Sequence, residues 1–353
     1  MKFSVLEKSL IQNLETSIRD VTPGVMVRAY QNGRLVCDVS VGTTYAYYDL
    51  ASLTKIIFTV QAMMLAFEEK KWDLDSKVKA FLPWYQHEHT RIQDLLTHSS
   101  GLVWWKPFYK ELNLAETWQK RREHLRKMIE SLELTPQDVS VYSDVGFLLL
   151  GFILEAFYQK DLVSIWNDIK ALFYEGTTLE FHPRNQTNLR SNLFAPTEEC
   201  PWRGKLLQGE VHDENTWALG GVSTHAGLFG SIDDMGWYML HLRSQILGIA
   251  KYFIKLKTTQ AFVKRARPEG RGDWSLGFMM PTPGKSSCGG YFSLNSIGHT
   301  GFTGTSMWYD PKSDLAVSVL SNRLVYGREN RSFVELRPLI HNWIVEGLKK
   351  SSL

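Results

Sequence analysis

Strand-forming patterns in this chain stand at its two ends, with a long, mostly helical text between them. Near the start, Gly24-Val25-Met26-Val27-Arg28-Ala29-Tyr30 reads as a strand, Gln31-Asn32-Gly33-Arg34 carries an Asn-Gly hairpin turn, and Leu35 to Val41 returns as its partner. Near the end, Gly290 to Leu294, Thr305 to Tyr309 and Leu315 to Leu320 read as strands separated by turns, and Ser332 to Leu348 as a closing helix. A lone hairpin is marginal in water, so the early strands need the late ones beside them. The pattern therefore predicts an α/β protein of the α+β kind: an antiparallel sheet built from both chain ends, flanked by helices, with a mainly helical region inserted. Residues 1–50 are expected to form the first part of the sheet domain, 51–270 the helical region, and 271–353 the second part.

The 353 residues suffice for a substantial core, and a net charge of +3 gives no argument for a nucleic-acid partner. Cys37, Cys200 and Cys288 are too widely spaced for a metal cluster, and reduced thiols are the expectation. His87-Glu88-His89 and His212-Asp213 lack the spacing of zinc ligands, so neither metal nor cofactor is expected. The first residues lack the apolar segment of a secretory signal and read as an amphipathic helix to about Ile18. No apolar run reaches the ~18–20 residues of a membrane span. The expectation is a cytoplasmic protein; the sequence carries no signal of oligomeric state.

The stretch from Asp49 to Thr59 holds the strongest chemical signal. Ile56, Ile57, Val60, Met63, Met64 and Phe67 mark one face of a helix, with Ser52 at its start. Lys55 lies three residues on, one turn away on the same face. A helix N-terminus offers free N–H groups and the positive end of the dipole. A weak hydroxyl, an adjacent amine and oxyanion donors are what an acyl-forming nucleophile needs. The same residues also suit a plain N-cap serine. Ser76-Lys77-Val78-Lys79 has the same spacing in a charged stretch and reads as a solvated turn.

Three further stretches place polar residues at turns. Tyr142-Ser143-Asp144 precedes an apolar helix, where Asp144 is either an N-cap or a group facing a cleft. Ile297 to Gly304 is either a glycine-rich turn or a strand edge that a substrate approaches closely. Asp94 to Leu102 ends a helix at a glycine, with His98 read as structural.

In this order, these stretches resemble the serine β-lactamase and penicillin-binding protein superfamily, in its class C β-lactamase-like branch of esterases, peptidases and muropeptide amidases. Ser52-Leu53-Thr54-Lys55 matches the family's S-x-x-K motif. Tyr142-Ser143-Asp144 matches its Y-x-N motif, and His299-Thr300-Gly301 its K-T-G motif. Asp94 to Leu102 and Ala226 to Ser231 resemble two further family segments, so the resemblance spans residues 25 to 325. It implies a β-lactamase/transpeptidase-like fold. It also implies Ser52 as nucleophile, Lys55 as its proton acceptor or electrostatic partner, Tyr142 as general base, and the backbone N–H groups of Ser52 and Phe302 as the oxyanion hole. His299, Thr300 and Gly301 would line the substrate side.

Two departures carry physical consequences. Asp144 stands where the family has asparagine, which favours a protonated Lys55. His299 stands where it has lysine, which removes a fixed charge and predicts a group that titrates near its ordinary pKa of about 6.5. Arg323 is the expected replacement anchor for a carboxylate. His212, Asp213, Glu214 and Asn215, in the rich segment Gly209 to Asn215, are expected either to shape the substrate pocket or to pin a loop through its own hydrogen bonds. Trp104, Trp105, Trp202 and Trp217 are either core or a sugar or peptide platform.

The expected function is a serine hydrolase acting through an acyl-enzyme on an amide or peptide bond of a small molecule or muropeptide. A carboxylesterase or weak β-lactamase is the alternative; a non-catalytic binder fits less well, because Ser52, Lys55 and Tyr142 are all intact.

Overall fold

The computed structural model describes residues 4–181, 190–249 and 253–351. Helix α1, Val5–Ser17, starts at a capping box in which Ser4 and Glu7 bond each other's backbone N–H. Strands β1 (Gly24–Gln31) and β2 (Arg34–Gly42) then form the hairpin expected around Asn32-Gly33. Next comes α2, a π-helix over Lys55–Val60 that continues as an α-helix over Gln61–Glu68. Helices α3 (Asp144–Tyr158) and α4 (Ile232–Leu247) are the long helices of the inserted region that flank the site and the sheet. Strands β3 (Ile297–Thr300), β4 (Ser306–Asp310) and β5 (Leu315–Ser321) return to the sheet, and α5 (Ser332–Ser351) closes the chain.

The main sheet is antiparallel throughout, in the order β2-β1-β5-β4-β3. The first hairpin thus pairs directly with the last strand, Val25 opposite Ser321 and Val27 opposite Val319. Alternation along β1 decides its two faces. Val25, Val27 and Ala29 point to one side, where they pack with Leu10 and Leu14 of α1 and Ile340 and Ile344 of α5. Met26 and Tyr30 point to the other, into the larger core shared with Tyr238, Met239 and Leu242 of α4. Both helix ends of the chain therefore cover one face of the sheet, and the inserted region covers the other.

One expected strand is absent. Residues Gly290 to Leu294 form turns, and the strand lies over Ile297–Thr300, because Met307 and Trp308 of β4 pair with His299 and Gly298. Among the described residues, no helix is long and apolar enough to cross a membrane. Because α1 and α5 meet the sheet through this second core, Ile340→Ala should lower the unfolding free energy by about 2–5 kcal/mol, the usual range for a fully buried isoleucine. Denaturant unfolding checks this; a loss below about 1 kcal/mol would mean that α5 is not part of the cooperative unit.

Candidate active site

Ser52 follows a tight backbone bend. Ala51 has φ +48°, a left-handed conformation unfavourable for a residue with a Cβ. Asp49 holds the bend: its carboxylate accepts from Ala51 N–H (2.8 Å) and from His212 N–H (2.7 Å). Burial raises the Asp49 pKa, against the pull of those N–H groups. Thr303 Oγ1 donates to Asp49 O (2.7 Å) and Thr305 Oγ1 to Leu50 O (3.2 Å), so the β3–β4 turn is fastened beside the bend. A Cβ on Gly301 would lie 2.0 Å from Thr305 Oγ1 and 2.7 Å from Leu50 O, so only glycine fits there. Among the described residues, the backbone N–H groups of Ser52 and Phe302 have no hydrogen-bond partner.

Two side chains meet at Ser52 Oγ. Lys55 Nζ donates to Ser52 Oγ at 3.0 Å, and Tyr142 OH lies 2.7 Å from the same oxygen. Lys55 is fully buried. Its ammonium also donates to Asp144 Oδ1 (2.7 Å) and His225 O (3.0 Å), so its three protons each have an acceptor. Burial lowers the Lys55 pKa, and the Asp144 charge and hydrogen bond oppose that. Burial, then the Asp144 charge, push the Tyr142 phenol well above its ordinary pKa of 10. Ser143 is the N-cap of α3, which places Asp144 in its first turn, and His98 Nδ1 accepts from Ser143 N–H at 3.0 Å. By contrast, Ser76 bonds Asp73 and Lys79 pairs with Glu88 at the surface, so that second match is a turn.

Ser52 and Tyr142 open into a cleft of about 350 Å³ that is also lined by Trp274, His299, Thr300, Gly301, Phe302, Arg323 and Arg337. Trp274 stacks on Tyr142 with ring centroids 6.0 Å apart. Arg323 braces the turn: its Nε donates to Phe302 O (2.9 Å) and its guanidinium lies over the Phe302 ring. Arg337 Nη2 donates to Gly301 O (3.3 Å), and burial, then the charge of Arg323, bring its pKa down to about 9. Among the described residues, neither arginine has a carboxylate within ion-pair distance.

His299 departs from its expected behaviour. It is 1% exposed, its Nδ1 lies 2.8 Å from Thr300 O, and burial together with the Lys55 charge lowers its pKa to about 3. It is therefore neutral near pH 7 and does not titrate near 6.5, the value its residue type alone predicts. His212 and Asn215 lie outside the cleft lining. The His212 ring contacts Glu198 (3.2 Å), while the Asn215 amide joins Lys106 O to Tyr109 N–H (2.9 and 3.0 Å). The tryptophans form two groups, Trp104 stacked with Trp105 and Trp202 edge-on to Trp217, and neither lines the cleft. Asp49, Trp274 and Arg337 were not anticipated; an aspartate two residues before a bend was the only local signal, for Asp49.

The model of the family described as Beta-lactamase matches residues 10–336. This chain belongs to that family. It is 31% identical over 324 residues to a Salmonella gallinarum protein provisionally named a D-alanyl-D-alanine carboxypeptidase, covering 84% of this chain and 74% of that one. It is 29% identical over 363 residues to an N-acetylmuramyl-L-alanine amidase of Bacillus subtilis, covering 88% and 80%. Its fold matches that of a class C β-lactamase from Rhodobacter sphaeroides with a TM-score of 0.69 at 19% identity, over 95% of this chain and 99% of the other. With this family membership, the chain is a serine hydrolase with a β-lactamase-like fold.

Buried neutral histidines give the fold a defined acid limit. His299 and His341 both have pKa values lowered from 6.5 to about 3 by burial. Unfolding lets them bind protons at pH values where the folded state does not. Their contribution is thus fully present above pH 6.5 and is lost as pH falls toward 3. Equilibrium unfolding between pH 7 and 4 should show stability falling with acid, and His341→Gln should flatten that slope. An unchanged slope would mean that His341 titrates normally in the fold.

Proposed function

We propose that this serine hydrolase cleaves an amide or peptide bond in peptidoglycan-derived fragments through an acyl-enzyme on Ser52. The observation that carries the reading is the pair of contacts on Ser52 Oγ, from Lys55 Nζ at 3.0 Å and Tyr142 OH at 2.7 Å. In its neutral form, Lys55 takes the Ser52 proton as Oγ bonds to the substrate carbonyl carbon. The oxyanion is received by the Ser52 and Phe302 N–H groups. Tyr142, kept as a phenol by its raised pKa, passes its proton to the departing nitrogen and is refilled from the Lys55 ammonium. Water then attacks the ester, losing its proton along the same route in reverse, and Ser52 Oγ recovers its own.

The substrate class rests on the cleft and the relatives. Arg323, Arg331 and Arg337 outnumber Glu329 in the cleft lining, an excess of positive charge that suits a carboxylate-bearing fragment. The carboxypeptidase and amidase names of the relatives both denote cleavage of acyl–nitrogen bonds in cell-wall material. Cytoplasmic action belongs to the same reading, supported by three buried free cysteines, a reduced state which that compartment maintains.

The deciding experiment incubates the protein with N-acetylmuramyl peptides from digested peptidoglycan and reads products by mass spectrometry. Release of free peptide or of a terminal amino acid, abolished in Ser52→Ala, is the expected result. Hydrolysis of only a p-nitrophenyl ester would assign the chain to esterase chemistry instead. Lys55→Ala and Tyr142→Phe should each lower kcat/KM by roughly 10²–10⁴, the range for proton-transfer groups. Near-normal turnover in Tyr142→Phe would remove the phenol from the reaction.

A further inference from the structure

Behind Lys55, on the side away from the cleft, lies a second chain of polar groups. Ser223 Oγ is 2.8 Å from His225 Nδ1, and His225 Nε2 is 3.0 Å from Asp213 Oδ1. The order serine, histidine, carboxylate suggests a second nucleophile, but Ser223 is buried and lines none of the described cavities. What does reach the reaction is the His225 backbone, because its carbonyl accepts from Lys55 Nζ. The rest of the loop is tied to both catalytic helices. Thr59 Oγ1 of α2 donates to Thr224 O (2.6 Å), and Thr224 Oγ1 donates to Phe147 O of α3 (2.6 Å). Leu228 N–H donates to Thr54 Oγ1 (3.2 Å).

We infer that Asp213 and His225 are positioning residues for Lys55: the pair holds the His225 carbonyl against the ammonium and adds a second negative charge to the field that Lys55 feels. The inference rests on the reading of Lys55 as the proton acceptor of Ser52. Burial opposes the charged form of Asp213, but the His225 side chain and Thr216 N–H (2.7 Å) hold its pKa low, so it is a carboxylate. Its charge raises the Lys55 pKa in the same direction as Asp144. The other titratable groups facing Lys55 are Tyr142, His98 and the neutral His299, with the side chain of His225 beyond its own carbonyl. A buried charge held by several polar contacts acts as one coupled cluster, and removing one anion moves the apparent pKa of the whole.

Asp213 also caps the short helix Glu214–Ala218, and asparagine keeps a capping oxygen while losing the charge. The test is the pH dependence of Ser52 labelling by a fluorophosphonate, read as a second-order rate for wild type and Asp213→Asn, with thermal unfolding of each. If Lys55 acts when neutral, the wild-type rate falls on the acid side. In Asp213→Asn that limb should move to lower pH by about one unit, a shift of the size one nearby charge produces in a protein interior. Below the limb, the variant then labels about tenfold faster than wild type, an outcome that damage to the fold cannot mimic. Asp213→Ser removes the charge with another capping side chain and has to move the limb the same way; it decides the matter if the asparagine variant does not fold. A limb that stays in place in a folded variant overturns the inference. Absence of Ser52-dependent labelling in wild type overturns the acyl-enzyme reading itself, so the two failures are distinct.

Discussion

The burial of one ammonium organises this molecule. Lys55 has no exposed surface, and an isolated charge in such a place would cost several kcal/mol. It is tolerated because each of its protons meets an acceptor, and the three acceptors come from three distant parts of the chain: Ser52, Asp144 and the carbonyl of His225. The lysine therefore locks α2, the start of α3 and the loop before Ile232 to one another. The same arrangement leaves its pKa poised between opposing effects, burial pulling down and Asp144 pulling up. A group held that way gives up or takes a proton with a small change in its surroundings.

The sheet contributes the opposite wall. Its edge strand β3 and the turn after it are fastened to Asp49 and Leu50 by Thr303 and Thr305, and Arg323 and Arg337 brace the same turn from behind. The Phe302 N–H and the Ser52 N–H are thereby held by independent elements, one in the sheet and one in the helical region. The cleft lies where these two layers meet, so neither layer forms it alone. His299 sits in this wall as a neutral packed ring, and the fixed positive charge of the cleft comes from arginines, Arg323 and Arg337 beside the turn among them. Exchanging lysine for histidine at that position thus relocates the charge to a neighbouring segment rather than turning it into a pH switch.

Much of this was legible in the chain. The hairpin around Asn32-Gly33, the helix after Ser52 and the late strand Leu315–Ser321 follow from local periodicity and turn chemistry, which depend on near neighbours. For Ile297 to Gly304 a strand edge and a turn stood as alternatives, and Gly290 to Leu294 was misread as a strand, because glycines at Gly298 and Gly301 hide a strand from any propensity argument. Those glycines are explained only by what lies against them: Met307 O at one and Leu50 O at the other.

The sequence by itself determined the sheet drawn from both ends, the family, and the spacing that sets Lys55 one turn from Ser52. These depend on short-range pattern and chain order. Tertiary structure alone decided that Tyr142 and Asp144, about ninety residues away, close on the same serine and lysine. It decided that His212 and Asn215 turn inward to brace loops, and that Asp213 and His225 stand behind the lysine instead of lining the cleft. Burial and charge proximity are properties of the packed molecule, and the protonation of Lys55, Tyr142 and His299 follows from them, not from residue type.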